Sequence, residues 1–512
     1  MNDSSDILEG DLADKALSFS ADQAHVRPTY IIVRFLFLRL LGLIFLIAFV
    51  SFWVQVDGLV GKNGILPAAE FLKMIEDQLD VVRYFQFPTL CWFSASETFI
   101  YCLCGVGVAC SILLIAGVLP KPSLIVLWIT YLSLVVIGQT FMSFQWDSLL
   151  LEVAFLSIFF APMSFWPRLS KESASSLVFL WLLRWLLFRL MFLSGITKLA
   201  SGDPIWADLT ALDFHYETQP LPTWIGYYAH QLPGWFQKFS MGAMFVIEII
   251  VPFLIFMTRK IRFVACGLLL LLQLLIATTG NYCFFNLLAM ALCLTLLDDS
   301  FLLNFAPRKH RGRFAGIRSK KKSSRTRLAV ASVVALPIVV VSFITMAAEI
   351  WGYRQLPKPA MQVVRWTSPF RSVNGYGLFR VMTTTRFEIV VQGSDNGREW
   401  KAYEFRYKPG AMDQRPGFVA PHQPRLDWQM WFAALGTHQQ NPWFVRFLGR
   451  ILEGAPEVLT LLEINPFPDK PPRYIRAVRY RYHMTDLDTR NETQVWWRRE
   501  PAGLYTPPVS LK

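Results

Sequence analysis

The stretch FRLMFLSGITKLASGDPIW, Phe188 to Trp206, decides the fold class. It begins as the last turns of a long apolar run and ends among Gly, Asp and Pro, with Lys198 just before the change. The whole run has the length and the lack of charge that span a bilayer. Lys198 then has two readings. Its stem can cover apolar surface while the ammonium snorkels to the interface. Alternatively, burial lowers the pKa of a lysine, and the amine serves as a base.

Outward from this stretch the same kind of run recurs. About nine spans are expected, at 31–54, 97–118, 123–143, 148–166, 176–199, 240–258, 263–280, 282–298 and 329–350. The 512 residues are 54% hydrophobic and 15% aromatic, which is too apolar for an ordinary soluble chain. The net charge of +13 would suit nucleic acid, but its placement points elsewhere. From Arg308 to Arg327 there are ten Lys or Arg and no acid, the excess that holds a loop on the cytoplasmic side. Lys121, Arg168/Lys171 and Arg259/Lys260/Arg262 fall in alternate loops with it. No nucleic-acid partner is expected; membrane lipids are.

That parity predicts a cytoplasmic N-terminal tail over 1–30 and a transmembrane domain over 31–350. Outward loops are expected at 55–96 and 200–240, and a basic cytoplasmic loop at 300–328. The first run is too long for the apolar core of a cleavable signal and reads as an uncleaved anchor. Residues 351–512 read as a β-rich extracytoplasmic domain. There FEIVVQGS and YEFRY read as strands flanking the turn DNG, and VRYRY alternates apolar and basic residues. Asn441-Pro442 opens a helix that runs to Gly454. The seven cysteines all lie between Cys91 and Cys293, so no disulfide framework is expected in this tail.

Polar residues inside spans need a reason. Gln145, Asp147 and Glu152 crowd the start of the fourth span, and Arg189 lies in the fifth. Asp147 or Glu152 is expected to pair with Arg189 or Lys198, either locking helices together or lining a cavity. The following loop adds Asp213, His215, Glu217 and His230 among aromatics and prolines. His215 and Glu217 are two apart, which does not suit a helical metal pair, and no metal site is expected. No hydrolase, phosphate-binding or zinc-protease signature is present. Asn491 heads the sequon NET, which matters in a glycosylating host.

The runs SFQWDSLLLE, LDFHYETQPLP, YYAHQLPGWF, TGNYCFFNLL and VAPHQPRLDWQMWFAAL resemble the lipase maturation factor family across most of the chain. The resemblance implies a chaperone-like membrane protein that helps secreted lipases reach their active fold, and no known reaction or cofactor. The resemblance implies the endoplasmic reticulum membrane in a eukaryotic host, as for the family's eukaryotic members; a bacterial host would place the chain in the inner membrane. The client partner would then be a lipase-like exported protein. Trp428, Trp431, His422 and Arg425 of the last run are expected to face it. A shorter stretch, GITKL followed by Trp206, is similar to vitamin K-dependent γ-glutamyl carboxylase. That likeness implies an alternative, an intramembrane enzyme with Lys198 as base on a lipid-like cofactor such as a quinone.

Overall fold

A computed structural model describes residues 29–167, 176–305 and 325–511. The N-terminal tail to residue 28 and most of the basic loop lie outside the described residues. Among the described residues nine helical segments form the bundle: α1 Ile31–Trp53, α2 Glu97–Ala116, α3 Pro120–Ile137, α4 Gln145–Phe160, α5 Leu177–Ala200, α6 Gly234–Leu254, α7 Arg259–Thr279, α8 Phe285–Leu296 and α9 Arg325–Trp351. Seven of these are long and apolar enough to cross a membrane; α4 is not, and α8 is so only together with the bent helix Asp299–Phe305 that follows it.

About nine spans are expected from the sequence; seven, or eight with the bent pair, qualify among the described residues. α4 is delayed by the tight turn Gln139–Met142 and stops before Pro162, so its 16 residues reach about 24 Å. α8 breaks at Leu297, and the next helix, Asp299–Phe305, leaves at 108°.

The passes nevertheless alternate between two ends. At the far end, Asp299 accepts from the amides of Ile31, Ile32 and Val33 at 2.7–3.1 Å, filling the open N-terminus of α1. Nearby Asp298 takes both Nε and Nη2 of Arg259, at 2.5 and 2.9 Å. Arg184 of α5 gives Nε and Nη2 to the carbonyl of Thr295. At the other end Ser51, Gln55, Asp147, Asp203 and Asn281 all bond residues of the C-terminal part. The loops 55–96 and 200–240 lie at this same end, as Arg446–Glu70 and the bonds of Arg386 to the carbonyls of Glu217 and Gln219 show.

The tail carries strands β1 Arg386–Ser394, β2 Lys401–Ala402, β3 Glu404–Phe405, β4 Leu462–Ile464, β5 Tyr474–Met484 and β6 Trp497–Val509. β2, β1, β5 and β6 form one antiparallel sheet in that order; β3 and β4 form a small second one. The pairing runs without a slip from Arg386 opposite Tyr482 to Ser394 opposite Tyr474. Helix α10, Arg425–Ala434, is buried over nearly its whole surface, and α11, Pro442–Leu452, buries one face. Pro442 starts α11 as expected, but Asn441 makes no capping bond. Its amide instead donates to the carbonyl of Thr437.

Candidate functional site at the tail end of the bundle

The polar residues singled out in the spans gather where the bundle meets the tail. Glu152 and Arg189 are both buried and ion-paired, as expected. The other carboxylate oxygen of Glu152 accepts from Tyr376 Oη at 2.7 Å and from the backbone N–H of Asn374 at 2.8 Å. An interhelical pair thereby also pins the first stretch of the tail. A buried carboxylate surrounded by donors in this way is compensated for its lost hydration.

Asp147 takes a different partner from the one expected. Arg425, on α10, donates Nη1 and Nη2 to its two oxygens at 3.1 and 3.0 Å. Tyr131 of α3 donates to the same carboxylate at 2.5 Å, and Arg425 Nη1 also reaches the carbonyl of Phe141 at 2.6 Å. Helices α3 and α4, the turn between them and the tail thus converge on one fully buried carboxylate. Gln145, two residues before Asp147, is half-buried, with its Oε1 enclosed.

Lys198 pairs with Glu248 of α6, not with Asp147 or Glu152; the amine lies 2.6 Å from Oε2. Local sequence explains how. Pro252 has no N–H to give the carbonyl four residues back, and α6 widens into a π turn over Val246–Ile250. That turn carries Glu248. Gly195 lets it approach: a β-carbon there would lie 2.6 Å from Ile249 and 2.9 Å from Glu248. Lys198, one turn beyond Gly195, then meets the carboxylate. The Met244 sulfur at 3.9 Å and the Trp206 ring at 5.3 Å complete its surroundings. Both Lys198 and Glu248 are buried, so simple snorkelling does not describe the lysine.

His215 lies on the loop helix Ala211–Thr218, and its bonds fix its tautomer. Gln219 gives its amide N–H groups to the carbonyls of Tyr216 and Thr279, so its Oε1 must accept, and Tyr282 donates to it at 2.9 Å. The Tyr282 oxygen therefore accepts from His215 Nε2–H at 3.1 Å. Nδ1 keeps its lone pair, enclosed and without a partner among the described residues. Burial, and then the nearby Lys198 charge, push the imidazole down to about 4, so it is neutral at physiological pH. The indole N–H of Trp206 is likewise enclosed without a partner.

Glu217, also on this helix, accepts from the backbone N–H of Met484 at 2.7 Å. Its other oxygen faces His483 of β5 at 3.3 Å, and His230 stands 4.0 Å away. Burial lowers the pKa of His230 although Glu217 and Asp213 oppose that shift. Asp213 itself is half-buried on the same helix face region.

The residues expected to face a client do not lie on an open surface. Arg425, Trp428 and Trp431 are buried in the seam, with the Trp431 indole N–H on the carbonyl of Thr218 at 2.8 Å. Trp428 packs edge-on against Trp146 at 4.6 Å. His422 is half-buried, 3.0 Å from the Ser51 hydroxyl. These side chains join two parts of one chain. The tail is correspondingly not self-contained, because Arg425 alone would be a buried charge without its counter-ion. Asn491 is exposed on the short helix Leu487–Thr493.

Sequence reading missed Glu248 as the partner of Lys198, Arg386 and Lys408 flanking Glu388, and Asn281. Arg386 and Lys408 lie 2.5 and 2.8 Å from Glu388. Asn281 donates to the carbonyl of Gly417 and accepts from the amides of Val419 and Ala420. The available signals were the Pro252 break and the opposite charges of Arg386 and Glu388 in RFE. Among the described residues no cluster of three or more metal-ligating side chains occurs.

The arrangement defines a multi-pass membrane protein whose buried ion pairs and amide bonds fasten a sheet-containing tail across one end of its bundle. The family described as lipase maturation factor transmembrane domain matches residues 32–304, and that described as lipase maturation factor C-terminal domain matches residues 372–507. Lipase maturation factor 2 of Gallus gallus is 37% identical over 93% of this chain and 81% of its own length. Lipase maturation factor 1 of Mus musculus is 34% identical over 94% of this chain and 88% of its own, and that of Homo sapiens 34% over 96% and 90%. No solved structure matches. The chain belongs to the lipase maturation factor family.

Proposed function

We propose that this protein is a membrane-embedded maturation factor that helps an exported lipase reach its active fold. The observation that carries the reading is the match to relatives named lipase maturation factor over more than nine-tenths of the chain. The geometry supports it: the loops 55–96 and 200–240 and the tail build one continuous face, held rigid by buried pairs. In this reading that face points into the lumen or periplasm, where the client folds, and the basic loop is cytoplasmic. The protein acts by contact, not by turnover. The test is coexpression with a secreted lipase, reading lipase activity per mass of secreted enzyme. The expected result is a gain in specific activity when the protein is present. Unchanged specific activity for several secreted lipases overturns the reading.

A second reading, chemistry at Lys198 on a lipid-like cofactor such as a quinone, has one observation in its favour. The enclosed, unpartnered Trp206 N–H and His215 Nδ1 lie around the lysine. Against it, a base needs a free lone pair, and this amine donates to Glu248.

A further inference from the structure

A groove with a cavity volume of about 360 Å³ lies where the loop after α1 folds against α3. Tyr84, Pro88, Trp92 and Phe93 form one wall, Trp128, Ile129 and Leu132 of α3 the other, and Phe370 closes one side. Ile129 is eight positions before the end of α3 at Ile137, so this wall descends about 12 Å below the tail end of that helix. That is roughly the hydrocarbon depth of one leaflet. Ile125 and Ile129 are exposed on α3, which makes the groove continuous with its lipid-facing side.

The rim has the character of a membrane interface. Val81, Val82, Phe85 and Phe93 are exposed together, Phe93 at 84%. Phe85 packs against Phe370 at 5.2 Å. Just before Phe370 runs the amphipathic helix Lys358–Thr367, with Trp366 exposed. Exposed aromatics at the end of a span mark the headgroup level.

Most polar side-chain atoms of the lining are already engaged; the enclosed Trp128 indole N–H is the exception among the described residues. Thr89 Oγ1 donates to the carbonyl of Ser133, Ser133 Oγ to that of Ile129, and the Trp92 indole to that of Phe87. A peptide would bring a row of N–H and C=O groups with that single indole N–H to meet them, at a cost in desolvation. A hydrocarbon chain brings none. At the mouth, Arg83 lies over the Tyr84 and Trp92 rings at 4.9 and 5.4 Å. It pairs with the exposed Glu76 and donates Nη1 to the carbonyl of Leu79 at 3.5 Å and Nη2 to Tyr84 Oη at 3.1 Å, while its enclosed Nε has no partner among the described residues.

We propose that this groove binds a glycerophospholipid of the tail-side leaflet, one acyl chain along Trp128, Ile129 and Leu132 and its phosphate at Arg83. The proposal does not depend on the client function. Its test uses the full chain in nanodiscs of phosphatidylcholine doped with phosphatidylcholine carrying a diazirine at the end of one acyl chain. After irradiation, labelled peptides are mapped by mass spectrometry. Label is expected on 84–93 and 128–133, severalfold above the exposed face of α9 at Val333, Leu336 and Val340. Ile129→Trp fills the groove and should remove that excess. Ile125→Trp, one turn away and equally open to lipid, should leave it, and both variants should melt like the parent. A photoreactive fatty acid without a phosphate should label the groove weakly, and Arg83→Gln should lower labelling by the phospholipid. Groove labelling no higher than on α9, or unmoved by Ile129→Trp, overturns the site. A free fatty acid that labels as strongly as the phospholipid, or phospholipid labelling that Arg83→Gln leaves unchanged, overturns the phospholipid assignment.

Discussion

Arg425 and Asp147 are 278 positions apart, and their side chains meet through two hydrogen bonds of 3.1 and 3.0 Å in a fully buried pair. One stands in the tail and the other opens α4, so the pair is the joint between the two parts of the chain. Removing one partner strands a buried charge, at roughly 3–5 kcal/mol. Arg425→Met should therefore lower the melting midpoint sharply, and Asp147→Leu should do the same. The double variant should recover much of the loss. A double variant as unstable as the sum of the singles would show that the pair is not what joins the parts.

The approach of α6 to α5 depends on one missing side chain. A β-carbon at Gly195 would lie 2.6 Å from Ile249, whereas nothing lies within 4 Å of one at Gly242 on α6. Gly195→Leu should sharply reduce folded protein in a size-exclusion assay of detergent extracts. Gly242→Leu should be neutral or slightly favourable, because leucine is the better helix former. Equal effects at the two positions would remove the close-packing argument.

The sequence made some of this legible and hid the rest for physical reasons. Spans are legible because a bilayer imposes length and apolarity, and the Glu152–Arg189 pair followed from adjacent spans carrying opposite charges. The Asp147–Arg425 pair was not legible, since nothing local marks a contact across 278 positions. Glu248 was hidden because a regular helix would not aim it as the π turn does. Trp428 and Trp431 resembled a recognition surface because a helix buried on nearly every side has no polar face to give it away. β6 went unread because Pro501, Pro507 and Pro508 argue against a strand. It lies at the sheet edge, where prolines are tolerated.

Acid should loosen the loop around His215. Enclosure of His215 and His422 pushes both down to about 4, from roughly 6.5 in an unfolded chain. For His422 burial is the main cause, followed by the charges of Arg425 and Arg406. Folding thus favours the neutral ring. The stability this contributes is complete above about pH 6.5 and is lost as pH falls through about 4. The melting midpoint should drop between pH 7 and pH 4.5, and His215→Gln should flatten that slope. A parallel slope in the variant would mean that His215 does not contribute to it.

Lys198 and Glu248 allow the structural and the chemical roles of the lysine to be separated. The amine and carboxylate are 2.6 Å apart and both are buried, so either single replacement leaves one charge alone. Lys198→Met and Glu248→Leu should each lower membrane abundance and, with it, client maturation. Lys198→Arg should also fail, because the larger planar group does not fit between Met244, Trp206 and the π turn. In the Lys198→Met/Glu248→Leu double variant no charge is stranded, and apolar pairs of similar volume often replace buried ion pairs without loss. A role in packing predicts that this double variant regains both abundance and the specific activity of the coexpressed lipase. A role in proton transfer predicts normal abundance with no gain in lipase activity, since neither Met nor Leu can carry a proton. The pair's geometry favours the first outcome, and the second would return Lys198 to the centre of a reaction.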